Sequence, residues 1–545
     1  MSSILDSFPD KFNPSKSQVS LLNSIDEAFK SGVKFVVCSA PTGSGKSFIS
    51  KTLGNYANEP SEKFVDLVTS YKVFKRNQTG GYAHEDVIDE EKPFGAFALT
   101  LTKALQDQYK DLFEEAGVLK GKINYQCTYD TDFTVEHAPC VHLKEIKDSC
   151  WKQNSCPYYA ARNNVIVNNF SVLNYNMFLA MPSHVKRREY IVCDEASEIE
   201  DMLVKEFTCD IVFDVLKKSK VDVPAVPLTV AYDKMSNWVG VLANRVKAQL
   251  EEIEEKLTKR DLKKSQVQSA IRVEYDVLTR VYNKLKTLID TWYDSEYVID
   301  RYDKGIKFIP LKVDKLAGKI FDYADKVVLM SATIIDPASF CKALGITEYK
   351  YVEADSTFDS KKAPIYATTK VKLNYNNLQT NLPGIIKQIQ AICDAHPDDK
   401  GIIHTQTNAI TMELKRRLKN KRLLFREVGV RNEEILDIHY NTDEPTILVS
   451  PSMSHGVDLK GDLAKFQIVI KAPYLPIADK RIEKLMKGDF QWYQNKMLSS
   501  FIQACGRGVR SKDDSCVTYV MDYAIVESII RSKDKIPKYF LDRFQ

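Results

Sequence analysis

Residues 33–47 read VKFVVCSAPTGSGKS. An apolar, β-branched run breaks into small residues and ends in Lys46-Ser47, and this limits the possible folds more than any other stretch. Phe35 to Ser39 has the composition of a strand buried on both faces, which requires packed layers above and below it. The following Ala40-Pro41-Thr42-Gly43-Ser44-Gly45-Lys46-Ser47 fits a phosphate loop, with Ala40 where the pattern has its first glycine. Across Thr42, Gly43, Ser44 and Gly45, backbone N–H groups can turn inward around phosphate oxygens, and the glycines permit the turn. Lys46 is placed to reach the outer phosphates and the Ser47 hydroxyl to ligate Mg²⁺. "SFISKTLGNYA" then reads as a helix whose N-terminus faces the anion. A plain glycine turn is the alternative, but the strand before the loop and the Gly-Lys-Ser inside it favour a nucleotide site.

Such a loop needs acidic partners. "REYIVCDEAS" gives a second β-rich run, Tyr190 to Cys193, ending in Asp194-Glu195. Asp194 is placed to hold Mg²⁺ and Glu195 to polarise an attacking water. Further strands are expected in "KVVLMSAT" (326–333), "KGIIHTQT" (400–407), "PTILVSPSMSHGVDLKGD" (445–462), "FQIVIKAP" (466–473) and "SCVTYVMD" (515–522). Helical stretches lie between several of them. Alternating strands and helices give parallel α/β layers, and there are enough strands for two sheets. "FIQACGRGVRS" carries Gln503, Arg507 and Arg510. On a helix the two arginines would share a face. Opposite a nucleotide they would neutralise charge on the γ-phosphate.

A chain of 545 residues suggests three or four domains at roughly 150 residues each. A net charge of +4 sets up no global basic field, so a nucleic-acid partner needs a local groove. The N-terminal "MSSILDSFPDKFNPSK" lacks the pattern of a secretory signal, and no apolar run is long enough for a membrane span. An intracellular, non-secreted protein is therefore expected, in a bacterial or virus-infected cytoplasm or a nucleus. Eleven cysteines in such a chain point to metal, catalysis or buried thiols rather than disulfides.

Four of them, Cys127, Cys140, Cys150 and Cys156, fall within 30 residues, where an even spread would put fewer than one. The intervals of 12, 9 and 5 residues lack the close pairs common in zinc sites. Four thiolates suit zinc or an iron–sulfur cluster, and spacing does not choose between them. His137 and His142 are possible substitutes for Cys140. Trp151, Tyr158 and Tyr159 offer aromatic faces for stacking on bases, or simply core. Leu242, Val246, Leu250, Ile253 and Leu257 recur at helical spacing. Ile271, Tyr275, Leu278, Val281, Leu285, Leu288 and Trp292 do the same after a polar break, and no Gly or Pro interrupts 241–300. This predicts an antiparallel helical hairpin. Residues 56–95 read as a polar surface insert.

"SAPTGSGKS", "CDEAS", "LMSAT", "SHGVDLKG" and "QACGRGVR" occur in the order of helicase motifs I, II, III, V and VI. The chain resembles the XPD/DinG-like group of superfamily 2 helicases. "ALTLTKALQDQY" (98–109) resembles motif Ia. "KFNPSKSQ" resembles the N-terminal segment, with Gln18 at the adenine-reading position. The resemblance also implies a nucleotide contact from Asp458. "LKGKINYQC" and "CPYYAAR" resemble the flanks of the family's cluster cysteines, which implies a [4Fe–4S] cluster.

The implied fold is α/β, with two RecA-like motor domains and two inserts in the first. The first motor would comprise 1–105, 163–208 and 313–350. A cluster domain would take 106–162, a helical arch 209–312, and the second motor 351–545. The implied activity is ATP- and Mg²⁺-dependent 5′-to-3′ movement on single-stranded DNA by a monomer. Its substrates would be duplex junctions, forks or R-loops with RNA–DNA hybrids. An RNA or RNP remodeller, and a DNA-binding cluster sensor with vestigial ATPase, are the competing readings. Four departures stand out: Ser197 where His is usual, His455 where an acid is usual, "DSTFD" (355–359) in place of Ser-Pro-Phe, and Asp522-Tyr523-Ala524 in place of Asp-x-Arg.

Overall fold

A computed structural model describes residues 3–545 apart from 42, 78–79, 142–145, 148, 151–154, 229–230, 259–265, 355–358, 375, 427–429, 452–458, 460 and 510–513. Among the described residues the expected strands group into two all-parallel sheets. The first has seven strands, in spatial order Lys350–Glu353, Phe35–Ser39, Ala324–Ser331, Arg188–Asp194, Ala96–Thr100, Phe170–Asn174 and Gly117–Val118. Its inner strands are buried on both faces, as their unbroken apolar runs require. Val37, Phe97, Leu99 and Leu329 serve one core, and Val36, Ala98, Val192 and Val328 serve the other.

The second sheet has six strands, in the order Ile365–Ala367, Val517–Val520, Phe466–Val469, Gly401–His404, Ile447–Ser450 and Leu423–Phe425. Asp522, in the Asp-Tyr-Ala departure, is buried here. It accepts the N–H groups of Leu373, Ala472 and Ala524 at 2.9–3.0 Å, capping the helix that follows. Its carboxylate ties three chain segments together.

The helical hairpin forms from Tyr232–Thr258 and Gln266–Asp290, which pack along each other. Leu242, Val246, Leu285 and Trp292 are buried between them. The hairpin does not continue to residue 300. "YVIDRY" (Tyr297–Tyr302) and "GIKFIP" (Gly305–Pro310) pair antiparallel instead, and Cys209–Val212 adds a third strand. Two residues, Asp303 and Lys304, join the first two strands, so a tight turn overrides the helical reading there. No helix among the described residues is long and apolar enough to cross a membrane.

Candidate functional site

The register of the first sheet assembles the candidate nucleotide site. Ser39 lies level with Ser331, and Asp194 lies level with Met330. The three strands are adjacent and parallel, so the phosphate loop, motif III and motif II all leave the sheet at one edge. Ligands of open α/β sheets bind at the carboxyl ends of strands.

Gly43 and Gly45 have φ of 79° and 81°, a region that favours glycine. A Cβ at Gly45 would also overlap the Gln18 carboxamide. Gln18 is buried, and its Oε1 accepts the Ser15 N–H at 2.8 Å, closing a capping box on the Lys16–Lys30 helix. The motif-derived Gln18 therefore abuts the loop. Ser44 Oγ is buried with no hydrogen-bond partner among the described residues. An unsatisfied hydroxyl inside a loop of this shape fits an anionic ligand.

Lys46 starts the next helix (Lys46–Tyr56) and donates to Glu195 Oε1 at 2.9 Å, with Asp194 Oδ1 at 3.7 Å. Burial pushes the Asp194 carboxyl up. Lys46 opposes this, the adjacent Glu195 charge reinforces it, and the net shift is upward. Glu195 has φ 50° and ψ 47°, left-handed for a non-glycine residue. Such strain is held where surrounding structure enforces it, and it clusters at functional sites. The Tyr109 hydroxyl lies 3.1 Å from Ser50 Oγ, on the same helix as Ser47.

Ser197, at the family's usual histidine position, has a defined role. Its Oγ lies 3.0 Å from Ser331 Oγ and accepts from Thr333 Oγ1 at 2.9 Å. Ser331 in turn donates to Glu195 Oε2 at 3.4 Å. A chain of hydroxyls thus joins motif II to motif III. The small hydroxyl residues closing "LMSAT" were the only sequence signal for it.

From the second sheet, Gln503 lies on the helix Phe490–Cys505. The shared helical face expected for the two arginines does not form. The helix stops at Cys505, and Gly506 to Gly508 make a turn against Cys516. Arg507 sits in that turn, while Arg510, Thr42, Asp458 and His455 lie outside the described residues. Burial pushes the Glu198 carboxyl up to about 7, with Asp201 and Glu195 adding, while Lys496 and, less strongly, Arg507 pull it down. Glu198 thus stands between the two sheets' charges, and nothing in its sequence context marked it.

A raised carboxyl binds a proton in the folded protein that the unfolded chain releases near pH 4.5. Its stability contribution is full below that pH and is lost as pH rises through about 7. Glu198→Gln should flatten the wild-type decline in melting temperature across this window and melt higher at pH 8 by about 1–2 °C. Parallel melting curves from pH 4.5 to 8 would place the proton elsewhere.

The four clustered cysteines converge. Cys127, Cys150 and Cys156 are buried and Cys140 is half-buried. Burial pushes the Cys140 thiol up, and Cys150, Cys156 and Cys127 add to the shift, so all four share one neighbourhood. Burial likewise raises Cys150, with Cys156 and Cys127 adding. Among the described residues no three metal-binding side chains stand at ligating distance. Cys156 stands at the N-cap position of the helix Pro157–Val167. His137 is turned away, 3.4 Å from Asp276 of the hairpin, and His142 and Trp151 lie outside the described residues. Tyr159 is core beside Cys150 and Cys156.

Part of the polar insert also meets this site. Tyr71 packs on Cys150 and Cys156, and Asn163 Nδ2 donates to the Val68 carbonyl at 3.0 Å. Residues 61–75 are therefore a wall of the cysteine site rather than a free surface loop.

Two parallel sheets, one ending in a phosphate loop beside an Asp-Glu pair, make the arrangement of a nucleotide-driven motor. Comparison with known proteins agrees. Residues 103–216 match the DEAD_2 family model, and residues 390–540 match that of the helicase C-terminal domain. An XPD helicase structure superposes with a TM-score of 0.57 at 15% identity, covering 96% of this chain and 98% of that one. Xpd4 of S. tokodaii gives 0.55 at 16% identity, covering 97% and 99%. No curated protein matches in sequence. The chain thus carries both helicase domain models in order and shares the fold of the XPD helicases.

Proposed function

We propose that this helicase moves 5′ to 3′ on single-stranded DNA and opens duplexes, forks or R-loops, using ATP bound between its two sheets. The observation that carries this is the meeting of charges at the first sheet's edge. Lys46, Asp194 and Glu195 come from that sheet, and Arg507 approaches Glu198 from the second. In this reading the Thr42–Gly45 loop cradles the phosphates and Ser47 and Asp194 hold Mg²⁺. ATP phosphates draw Lys46 away from Glu195, whose carboxylate then orients the attacking water. Gln503, Arg507 and Arg510 face the γ-phosphate, and Gln18 and Asp458 complete the nucleotide contacts. Opening and closing of the cleft then steps the chain along a strand.

Cys127, Cys140, Cys150 and Cys156 would hold a [4Fe–4S] cluster. Their shared neighbourhood and their burial support the assignment. When bound, such a cluster supplies rigidity to a segment too small to fold unaided. The thiols must lose protons to bind it. Burial and the neighbouring thiols raise Cys140 and Cys150, which makes that loss harder, so cluster binding should strengthen as pH rises.

The test pairs a strand-displacement assay with an iron assay. Duplexes with 5′ single-stranded tails should be opened and those with 3′ tails left closed. Opening from 3′ tails reverses the polarity, and hydrolysis stimulated by RNA but not DNA favours an RNP remodeller. Anaerobically purified protein should be brown, with about four irons per chain, and Cys127→Ser should bleach it. Colourless protein with one zinc would put zinc at the thiols.

A further inference from the structure

Glu200 lies one turn beyond Glu195, on the helix Ile199–Phe207, and is buried. Its partners come from the second motor's side. Arg481 Nη2 donates to Oε1 at 2.8 Å, and Trp492 Nε1 and Lys496 Nζ approach Oε2 at 3.0 Å each. Lys496 also pairs with Asp201 at 2.9 Å. Arg481 Nε donates to the Pro310 carbonyl at 3.0 Å, so the cluster ties a third segment. Burial pushes the Glu200 carboxyl up, but Lys496, Arg481 and Trp492 outweigh it and hold the pKa below its ordinary value. The carboxylate is charged and fully engaged.

Trp492 and Lys496 lie on one face of the helix Phe490–Cys505, four residues apart. Continued at helical spacing, that face reaches Ser499 and Gln503, and the chain then turns into Arg507. From Trp492 to Cys505 the helix is about 20 Å long at 1.5 Å per residue. Its two ends are held differently. The Trp492 end is fixed by the buried ions. Beside its middle lies a cavity of about 60 Å³, lined by Ser197, Thr333, Phe340, Leu344, Trp492 and Ser499. This cleft is partly open to solvent and adjoins the hydroxyl chain of motifs II and III.

We propose that Glu200 is a positioning residue for ATP hydrolysis. It pins one end of the Phe490–Cys505 helix to the segment that follows Asp194-Glu195, and so sets the reach of Arg507 towards the γ-phosphate. The helix acts as an arm with a fixed ionic end and a working arginine end. Apolar packing would hold the two motors together equally well. A buried, multiply bonded carboxylate adds a defined geometry. The proposal rests on the reading of Arg507 given above.

The test is a double-mutant cycle on nucleic-acid-stimulated hydrolysis by the full chain. Glu200→Gln should lower kcat about tenfold and leave KM for ATP within about twofold. In an Arg507→Ala background the same change should alter kcat by less than about twofold, because the group it positions is gone. A merely structural role gives losses that multiply. Multiplying losses, or an unchanged kcat in folded Glu200→Gln, overturn the proposal. If Glu200→Gln does not fold, Trp492→Phe keeps the ring, removes one donor and enters the same cycle. The underlying reading fails separately: Arg507→Ala at the wild-type rate removes Arg507 from the chemistry, and this proposal with it. A low rate in Arg507→Ala with multiplying losses defeats only the role of Glu200.

Discussion

Replacing Lys46 with Ala should lower kcat for ATP hydrolysis by about 10³-fold or more, about 4 kcal/mol of transition-state stabilisation. Lys46 lies within 4 Å of both Asp194 and Glu195, at 3.7 and 2.9 Å. It also heads the helix that leaves the phosphate loop. Removing it withdraws positive charge from the phosphates and leaves two adjacent carboxylates facing each other. The fold should survive, because the burial-raised Asp194 can take up a proton instead. Steady-state hydrolysis at saturating nucleic acid, with circular dichroism as the control for folding, checks this. A wild-type kcat in the variant would remove the phosphate loop from the reaction.

Arg507→Ala should cost about 10²-fold in kcat, about 2.7 kcal/mol, with KM for ATP changed little. The guanidinium reaches the shared edge from the second sheet's side, where its charge is felt at Glu198. Its contribution is expected where charge builds on the γ-phosphate, so the loss belongs in kcat. Arg507→Lys should recover only part of it, since an ammonium lacks the planar fork of donors. Full activity in Arg507→Ala would remove Arg507 from the chemistry and leave Gln503 and Arg510 as the second motor's contributors.

The phosphate loop and the strand before it were legible because their chemistry is local. Glycines at positive φ, a lysine and a hydroxyl must follow one another directly. The same holds for the apolar strands, whose composition alone demands two covered faces. The Tyr297–Tyr302 and Gly305–Pro310 pair was lost because each strand is six residues long and followed a strong helical period. Three-residue spacing favours one helix through both arginines, but the glycines at 506 and 508 end it at Cys505. Ser197 looked like a defect against the family pattern until its contacts with Ser331 and Thr333 appeared. The Glu200 cluster could not be read at all. Its arginine lies 281 residues away and its tryptophan 292, and no local pattern connects them.

The order of strands in the first sheet also fixes a schedule for synthesis. Among the described residues, Phe35–Ser39 pairs with Ala324–Ser331 and Lys350–Glu353 alone. The nearer of these begins 285 residues after Ser39 (324 − 39). At about 5–20 residues per second, a ribosome needs roughly 15–60 s to make that stretch. During that interval the strand feeding the phosphate loop has neither of its neighbours, although the cysteine-rich segment and the helical hairpin have already been made. A nascent chain therefore carries an unpaired apolar strand for many seconds, the kind of edge that seeds aggregation or engages a chaperone.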